Sequence, residues 1–493
     1  MLYSFSTDLI IFLPELFFLI TVIILLLWAL ELNTRFSTWN TQLTHNLTYL
    51  LVEIHFITIL LLSNNFYKTK SIFYENLISD NYTITIKLIV LLCAIIFLTM
   101  TAEHVKQYFS DRFEFLILIA LAIFALLLLI SSNDLITFYL SIEMQSLCLY
   151  ILATFKRTSQ LSTEAGLKYF ILGALSSSLL LFGMSVIYGF TGSTNFVEIT
   201  KNVITNTTLE STPYTLTLGF ILVLCGLLFK LTAVPFHVWS PDVYEGAPLL
   251  VMIFFSTVPK LAIFCFFTKL IYTVFFDLYF IWQPILIVTS LLTILFSSIA
   301  TVYQKKIKRF LAYSSINHVG YMLMSLSTGT IIGAHAFFLY IFIYLITMLS
   351  FFSILTSLKK ESNKNIIYIT DLLYLKKVHP ITRLAITFIF FSMAGIPPLI
   401  GFFAKFYVFF AAIETSYYLL LIVSIACSTL SAFYYIRIIK IINFEKTFNL
   451  NIIKFKPTTL MYSYTLTGLL LTTLFFLVPN FLITETYYLA LLL

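Results

Sequence analysis

The sequence predicts an all-α protein that crosses a membrane about fourteen times, and three observations carry that expectation. Of 493 residues, 60% are hydrophobic and only 10% are charged, against roughly 25% charged residues in soluble domains. Apolar runs of the length needed to cross a hydrocarbon layer follow one another along the chain. Basic residues collect in alternate connections between those runs, as in proteins oriented in the bilayer by Lys and Arg. The 52 Phe and 30 Tyr are too many for one globular core, so much of their surface faces lipid or other helices. A formal net charge of +7 placed in short loops orients the chain and does not suggest nucleic acid.

Taken in order, the spans are expected near 9–30, 43–62, 83–102, 113–130, 134–155, 166–190, 214–240, 248–272, 279–303, 310–328, 333–358, 380–413, 416–442 and 458–479. The first has no basic segment before it and no small-residue cleavage site after it, and it contains Glu15 and Trp28, so it reads as a span and not a signal peptide. No Arg-rich transit segment precedes it either, so an organellar copy would be made inside the organelle. Glu53 and His55 interrupt the second span, and the eight residues after Glu485 are too short to cross. Two spans are expected to be broken, the seventh at Val234-Pro235-Phe236 and Pro241, the twelfth at Gly395-Ile396-Pro397-Pro398, because proline removes a helix donor. Such breaks survive at membrane depth where they are buried in protein or line a wet cavity.

Connections after odd-numbered spans hold Arg35, Lys106, Arg112, Lys156, Arg157, Lys305, Lys306, Lys308, Arg309, Lys359, Lys360, Lys364, Lys376, Lys377, Arg437, Lys440, Lys446, Lys454 and Lys456. Those after even-numbered spans hold little beyond Lys68, Lys70, Lys87 and Lys201. Fourteen spans, with both termini on the non-positive side, preserve this segregation. An internal repeat accompanies it. Tyr139-Leu-Ser141-Ile142-Glu143 is echoed by Tyr313-Ser-Ser315-Ile316-Asn317, so that Asn317 lies 174 residues after Glu143. Gly226 precedes Lys230 as Gly401 precedes Lys405, and Lys405 lies 175 residues after Lys230. A shift of five spans inverts the second unit, the plan of transporters with broken helices near the midplane. The expected division is a three-helix segment over 1–112, a first repeat over 113–275, a second over 276–445, and a last helix with its tail over 446–493.

Four charges fall inside apolar runs: Glu143, Lys230, Lys260 and Lys405. Each costs at least about 2.5 to 3.5 kcal/mol at the bilayer centre and so needs a partner or a cavity. Lys260 lies about 18 Å into its span, beyond easy snorkelling. Burial disfavours an ammonium and a neighbouring carboxylate restores it, so a movable Lys and Glu pair works as a proton switch. The expected route starts from a Glu143–Lys230 pair and passes to Lys260 and Lys405, with His318 a candidate relay and His237, in the broken seventh span, a weaker one. Lys168 opens the sixth span, where it orients that span or feeds the pathway. The five Cys stand singly with no CxxC pair, and no nucleotide loop, iron–sulfur cluster motif or paired haem His is present in the sequence. No cofactor or metal is expected on this chain.

Three stretches carry a family resemblance: Glu164-Ala-Gly-Leu-Lys168-Tyr-Phe-Ile-Leu-Gly173-Ala, Pro235-Phe-His237-Val-Trp-Ser-Pro241-Asp-Val-Tyr-Glu245-Gly-Ala-Pro248, and Ala394-Gly-Ile-Pro-Pro-Leu-Ile-Gly401-Phe-Phe-Ala-Lys405-Phe. With Tyr313-Ser-Ser-Ile-Asn-His318-Val-Gly-Tyr321, they resemble the chain 2 family of NADH:ubiquinone oxidoreductase, respiratory complex I, from about residue 110 to 440. The resemblance implies an antiporter-like, proton-translocating membrane-arm subunit among neighbouring antiporter-like and small membrane subunits. It implies that NADH, FMN, iron–sulfur clusters and ubiquinone belong to other parts of the complex. By motif, the family's proton-carrying residues match Glu143, Lys230, Lys260 and Lys405. A lysine at 405 argues against chain 4, which carries glutamate there, and the lack of a long lateral C-terminal helix argues against chain 5. An autonomous or multisubunit cation/proton antiporter shares this fold and is the alternative; a structural scaffold is a third reading. Richness in Phe, Ile and Asn with few Gly and Ala suggests an AT-rich organelle genome, hence the mitochondrial inner membrane with the positive loops in the matrix, a bacterial plasma membrane being the other possibility.

Overall fold

A computed structural model describes residues 2–35, 40–66, 69–108, 113–207, 214–360, 366–374, 380–445, 453–455 and 459–493. Of the loop lysines and arginines that set the expected orientation, Lys68, Arg112, Lys364, Lys376, Lys377, Lys446 and Lys456 lie outside the described residues. Among the described residues ten helices are long and apolar enough to cross a membrane, by length and composition. The shorter apolar helices Tyr214–Lys230 and Pro380–Ala394 are first halves of the two spans in which proline breaks were expected. The chain forms two compact units, one of Met1–Leu231, Gly246–Tyr279 and Leu492–Leu493, the other of Thr232–Glu245 and Phe280–Leu491.

In the first unit the opening run is two helices, α1 (Leu2–Ile11) and α2 (Leu13–Arg35), parted just ahead of Pro14, which suits a helix's first turn and not its interior. Helix α3 (Asn40–Ser63) is unbroken. The interruption expected at Glu53 and His55 does not occur: Glu53 is exposed, and the buried His55 bonds through Nδ1 to the Leu51 carbonyl at 2.5 Å, inside its own helix. A hairpin absent from the sequence reading follows, β1 (Lys70–Ile72) against β2 (Leu77–Ser79), antiparallel with Ser71 opposite Ile78. Then come α4 (Asn81–Tyr108), α5 (Glu114–Ser131), α6 (Leu135–Ala153), α7 (Gln160–Thr191), α8 (Phe196–Thr207) and α9 (Tyr214–Lys230). The chain leaves this unit for Thr232–Glu245, which carries most of α10 (Trp239–Gly246), and returns as α11 (Leu249–Ser256) and α12 (Val258–Lys269).

A third broken span appears here. Pro259 has no N–H, and Thr257 takes φ −116° and ψ −84° between α11 and α12. Every residue of α12 is buried. It is the core of the first unit and packs on α4, α5 and α11.

The second unit holds α13 (Tyr279–Val302, all but its first residue), α14 (Ile307–Leu326), α15 (Ile331–Ser357), a 3-10 turn (Ile369–Tyr374), α16 (Pro380–Ala394), α17 (Ile400–Glu414), α18 (Tyr418–Asn443), α19 (Thr459–Leu474) and α20 (Asn480–Leu491). Strand β3 (Leu358–Lys360) pairs antiparallel with β4 (Ile453–Phe455). Helix α15 is the core, buried along almost its whole length and packed on α14, α16, α17, α19 and α20. Helix α20 has 12 residues, about 18 Å, short of a hydrocarbon layer of about 30 Å. Outward faces stay apolar, with Ile20, Ile24 and Leu27 on α2 and Leu167, Phe170 and Ile171 on α7 exposed, as lipid demands.

Candidate functional site

In the first unit the candidate residues begin on one face of α6. Tyr139, Glu143, Ser146 and Tyr150 recur at spacings of four, three and four residues, which superposes them on one side of a helix. The half-buried Glu143 accepts a long bond from Ser146 Oγ at 3.4 Å on Oε2, while its Oε1 is buried without a hydrogen-bond partner. Lys230, the last residue of α9, is 8% exposed and its Nζ is likewise unpartnered. That Nζ lies 5.8 Å from the centre of the Tyr150 ring, and Glu143 is within electrostatic reach of both. Glu143 and Lys230, expected as an ion pair, make no hydrogen bond to each other. Tyr150 is held by close packing: a Cβ at Gly173 would lie 2.1 Å from its Oη, so glycine in that motif makes room for the ring.

A cation at the end of α9 is favoured by the helix dipole. The chain then turns sharply, since Thr232 takes φ +65°, a region a β-branched residue rarely adopts. Its hydroxyl is buried and unpartnered. Lys260 is the third residue of α12 and 5% exposed. Its position directly after the Pro259 break was legible in the sequence, yet the break was not expected there. Lys168 stays apart from this burial, in a half-exposed ion pair with Glu164 at 2.8 Å.

In the second unit Lys405 is 7% exposed and hydrogen-bonded on two sides, to Ala394 O at 2.7 Å and to Ser431 Oγ at 3.2 Å. Ala394 ends α16, so its carbonyl is one the break sets free. Gly395 takes φ +84°, and a Cβ there would lie 2.8 Å from Lys405 Cδ. The Lys405 ammonium sits 5.6 Å from the centre of the Tyr321 ring. His318 lies between two phenols, Nδ1 at 2.8 Å from Tyr340 Oη and Nε2 at 3.3 Å from Tyr435 Oη. Tyr340 stacks on Tyr321 with ring centres 6.0 Å apart, which links the His318 and Lys405 surroundings through two tyrosines. None of these tyrosines was singled out in the sequence as part of the chemistry. Their signal was weak, because a tyrosine in an apolar run looks like packing.

His237 is buried against Phe296 at 4.5 Å, with Nδ1 unpartnered. The residues after it bind α14: Asp242 pairs with Arg309 at 2.8 Å, and Glu245 pairs with Lys306 and Arg309. Lys306 and Arg309 therefore anchor the segment behind the break as well as adding loop charge.

The NADH:quinone oxidoreductase/Mrp antiporter transmembrane family matches residues 132–431. The NADH-ubiquinone oxidoreductase chain 2 of Marchantia polymorpha is 40% identical over 99% of both chains. The NADH-quinone oxidoreductase subunit N of Pelagibacter ubique is 50% identical over 58% of this chain and 59% of its own length, so the chain spans about three fifths of that relative. Among solved structures, a chain of respiratory complex I from Thermus thermophilus has a TM-score of 0.78 at 25% identity, covering 96% of this chain and 98% of its own. A chain of the Mrp complex from Dietzia has a TM-score of 0.79 at 19% identity over 97% of both chains, a likeness of fold. The chain belongs to the NADH:quinone oxidoreductase/Mrp antiporter transmembrane family, in the branch of NADH-ubiquinone oxidoreductase chain 2 and NADH-quinone oxidoreductase subunit N.

Proposed function

We propose that this chain is a proton-translocating membrane-arm subunit of a respiratory NADH:quinone oxidoreductase, complex I, and that it works beside other antiporter-like and small membrane subunits. Its protons move through Glu143, Lys230, Lys260 and Lys405, driven by quinone reduction elsewhere in the complex. One observation carries this reading: Glu143 and Lys230 are within electrostatic reach while each keeps a buried polar atom unpartnered. A buried pair kept for stability would be closed, because an uncompensated buried charge is strongly destabilising. An open pair suits a group that gains and loses a proton, which a buried lysine does more readily than arginine. The phenol-held His318 is the relay on the Lys405 side. Lys168 and His237 have lesser roles, at the exposed start of α7 and behind the break.

Fourteen crossings follow if α9 with α10, α11 with α12 and α16 with α17 each count as one broken span, and α14 and α19 count beside the unbroken ones. The two repeats over 113–275 and 276–445 would meet close to the division between Tyr279 and Phe280, although Thr232–Glu245 belongs to the second unit. Richness in Phe, Ile and Asn and the segregation of Lys and Arg into alternate connections support the mitochondrial inner membrane, with the positive loops in the matrix and both termini on the opposite side. Tags at the two ends reachable from opposite faces would refute that topology.

The test of function is gentle solubilisation followed by an in-gel assay of NADH oxidation, then proton movement by the complex in vesicles. Co-migration with a large NADH-oxidising assembly, and loss of proton movement in Glu143→Gln and Lys260→Ala, are the expected results. Unchanged pumping in both variants refutes the route, and migration alone with cation exchange in vesicles favours an independent antiporter.

A further inference from the structure

Buried charge occurs a second time in the first unit, on α2, α4 and α12, at residues the chemistry above does not use. Glu15, in the first turn of α2, forms an ion pair with Lys87 of α4, their side chains 4% and 5% exposed. The sequence reading placed Lys87 among the loop charges; it lies inside α4 instead, one turn beyond Thr83 and two beyond Asp80. Glu15 keeps Oε2 buried and unpartnered. Lys269, the last residue of α12, is 8% exposed and donates to Ser132 O at 3.1 Å, a carbonyl just past the end of α5. It is within electrostatic reach of Asp80 and of Lys87. Asp80 and Lys87 are seven residues apart and so lie on one face of the helix.

One edge of this cluster is not closed off by protein. Asp80 is only partly buried, and its backbone caps α4, with Asp80 N to Thr83 Oγ1 at 2.8 Å and Ile84 N to Asp80 O at 2.9 Å. The β1–β2 hairpin covers the rest. Leu77 bridges Ser132, Asn133 Nδ2 donates to Glu75 O at 2.9 Å, and Ile72 and Leu77 pack with Ile11 and Phe12 beside the start of α2. Lys260 and Lys269 are nine residues apart along α12, about 13 Å along its axis. The hydroxyls of Tyr82 and Thr268, 3.0 Å from each other, lie beside its last turn.

We propose that Lys269, with Asp80, Lys87 and Glu15, is a second proton-holding site of this chain and forms the outlet of the first unit at the hairpin face. The proposal rests on the proton-translocating reading above. The Lys269 ammonium passes its proton across intervening water to the Asp80 carboxylate, Asp80 releases it to bulk water, and the neutral amine takes a proton from the Lys260 ammonium along α12. Lys87 repels a charged Lys269, while Glu15 neutralises Lys87 and keeps that repulsion within bounds. A purely structural cluster has little energetic advantage, since well-packed apolar side chains often replace buried ion pairs at no loss of stability, and ionisable residues inside membrane spans commonly mark pathways.

The test measures protons moved per NADH oxidised by the assembled complex in vesicles, with assembly followed on native gels. Lys269→Arg keeps the charge and holds its proton, so it is expected to assemble and to lower that ratio to the level of Glu143→Gln, as is Lys269→Met where it assembles. Asp80→Asn is expected to lower it as well. A wild-type ratio in Lys269→Arg, with a lowered one in Glu143→Gln, overturns the outlet and leaves the functional reading standing. Wild-type ratios in both overturn the outlet and the functional reading together.

Discussion

Lys230 in the first unit and Lys405 in the second both stand where a helix breaks, yet they are held in opposite ways. Lys405 donates to a freed helix carbonyl and a serine hydroxyl, whereas Lys230 has no hydrogen-bond partner and a carboxylate at a distance. The residues at the matching motif position differ accordingly. Where the first unit has Glu143, the second has Asn317, whose amide accepts from Ser297 Oγ at 3.3 Å and donates to Tyr434 Oη at 3.1 Å. One motif has thus been used for an unsatisfied acid in one unit and a satisfied amide in the other. Lys230 is left without hydrogen bonds beside a carboxylate, whereas fixed dipoles steady the Lys405 ammonium, so that release of a proton from Lys405 gives up two hydrogen bonds.

The largest test of this contrast removes each lysine. Lys405→Met removes the donor to the Ala394 carbonyl and to Ser431 Oγ, which keeps its own bond to Ser428 O, and is expected to lower the stability of the assembled complex by about 1 to 3 kcal/mol. The Glu143→Gln, Lys230→Met double variant strands no hydrogen-bond partner and is expected to leave thermal unfolding unchanged while proton movement is lost. Equal destabilisation of the two would erase the distinction. Next in size, Gly395→Ala places a side chain in the left-handed region and is expected to cost about 1 to 2 kcal/mol. It also pushes on Lys405 Cδ, so proton movement should fall with stability; a fall in stability alone would show that Lys405 relaxes. Ser431→Ala removes one of two bonds to Lys405, and a melting shift equivalent to about 1 kcal/mol is expected. Smallest is Lys168→Gln, which opens a half-exposed pair and is expected to change stability by less than about 1 kcal/mol. Altered proton movement at unchanged stability would put Lys168 on the route.

Much of this was legible in the chain. Glu143, Lys230, Lys260 and Lys405 stood out because a charge inside a twenty-residue apolar run is costly wherever the run folds. The breaks at Pro235 and Pro397-Pro398 were legible for the same local reason, and Pro259 deserved the same reading but was taken as part of an unbroken span. Glu15, Lys87 and Lys269 did not stand out in this way. Each lies near one end of its helix, and from sequence a lysine near a helix end is equally a snorkelling residue.

Composition and proline alone determined that the chain crosses a membrane many times, that the spans at Pro235 and Pro397-Pro398 break, and that four charges are stranded in apolar runs, since these depend on local chemistry and on the thickness of a bilayer. Only the tertiary structure decided which stranded charges meet. It set Lys230 over Tyr150, Lys87 against Glu15 from 72 residues away, and His318 between Tyr340 and Tyr435. Those partners come from helices distant in sequence, and their meeting depends on how helix faces pack, which no local pattern encodes.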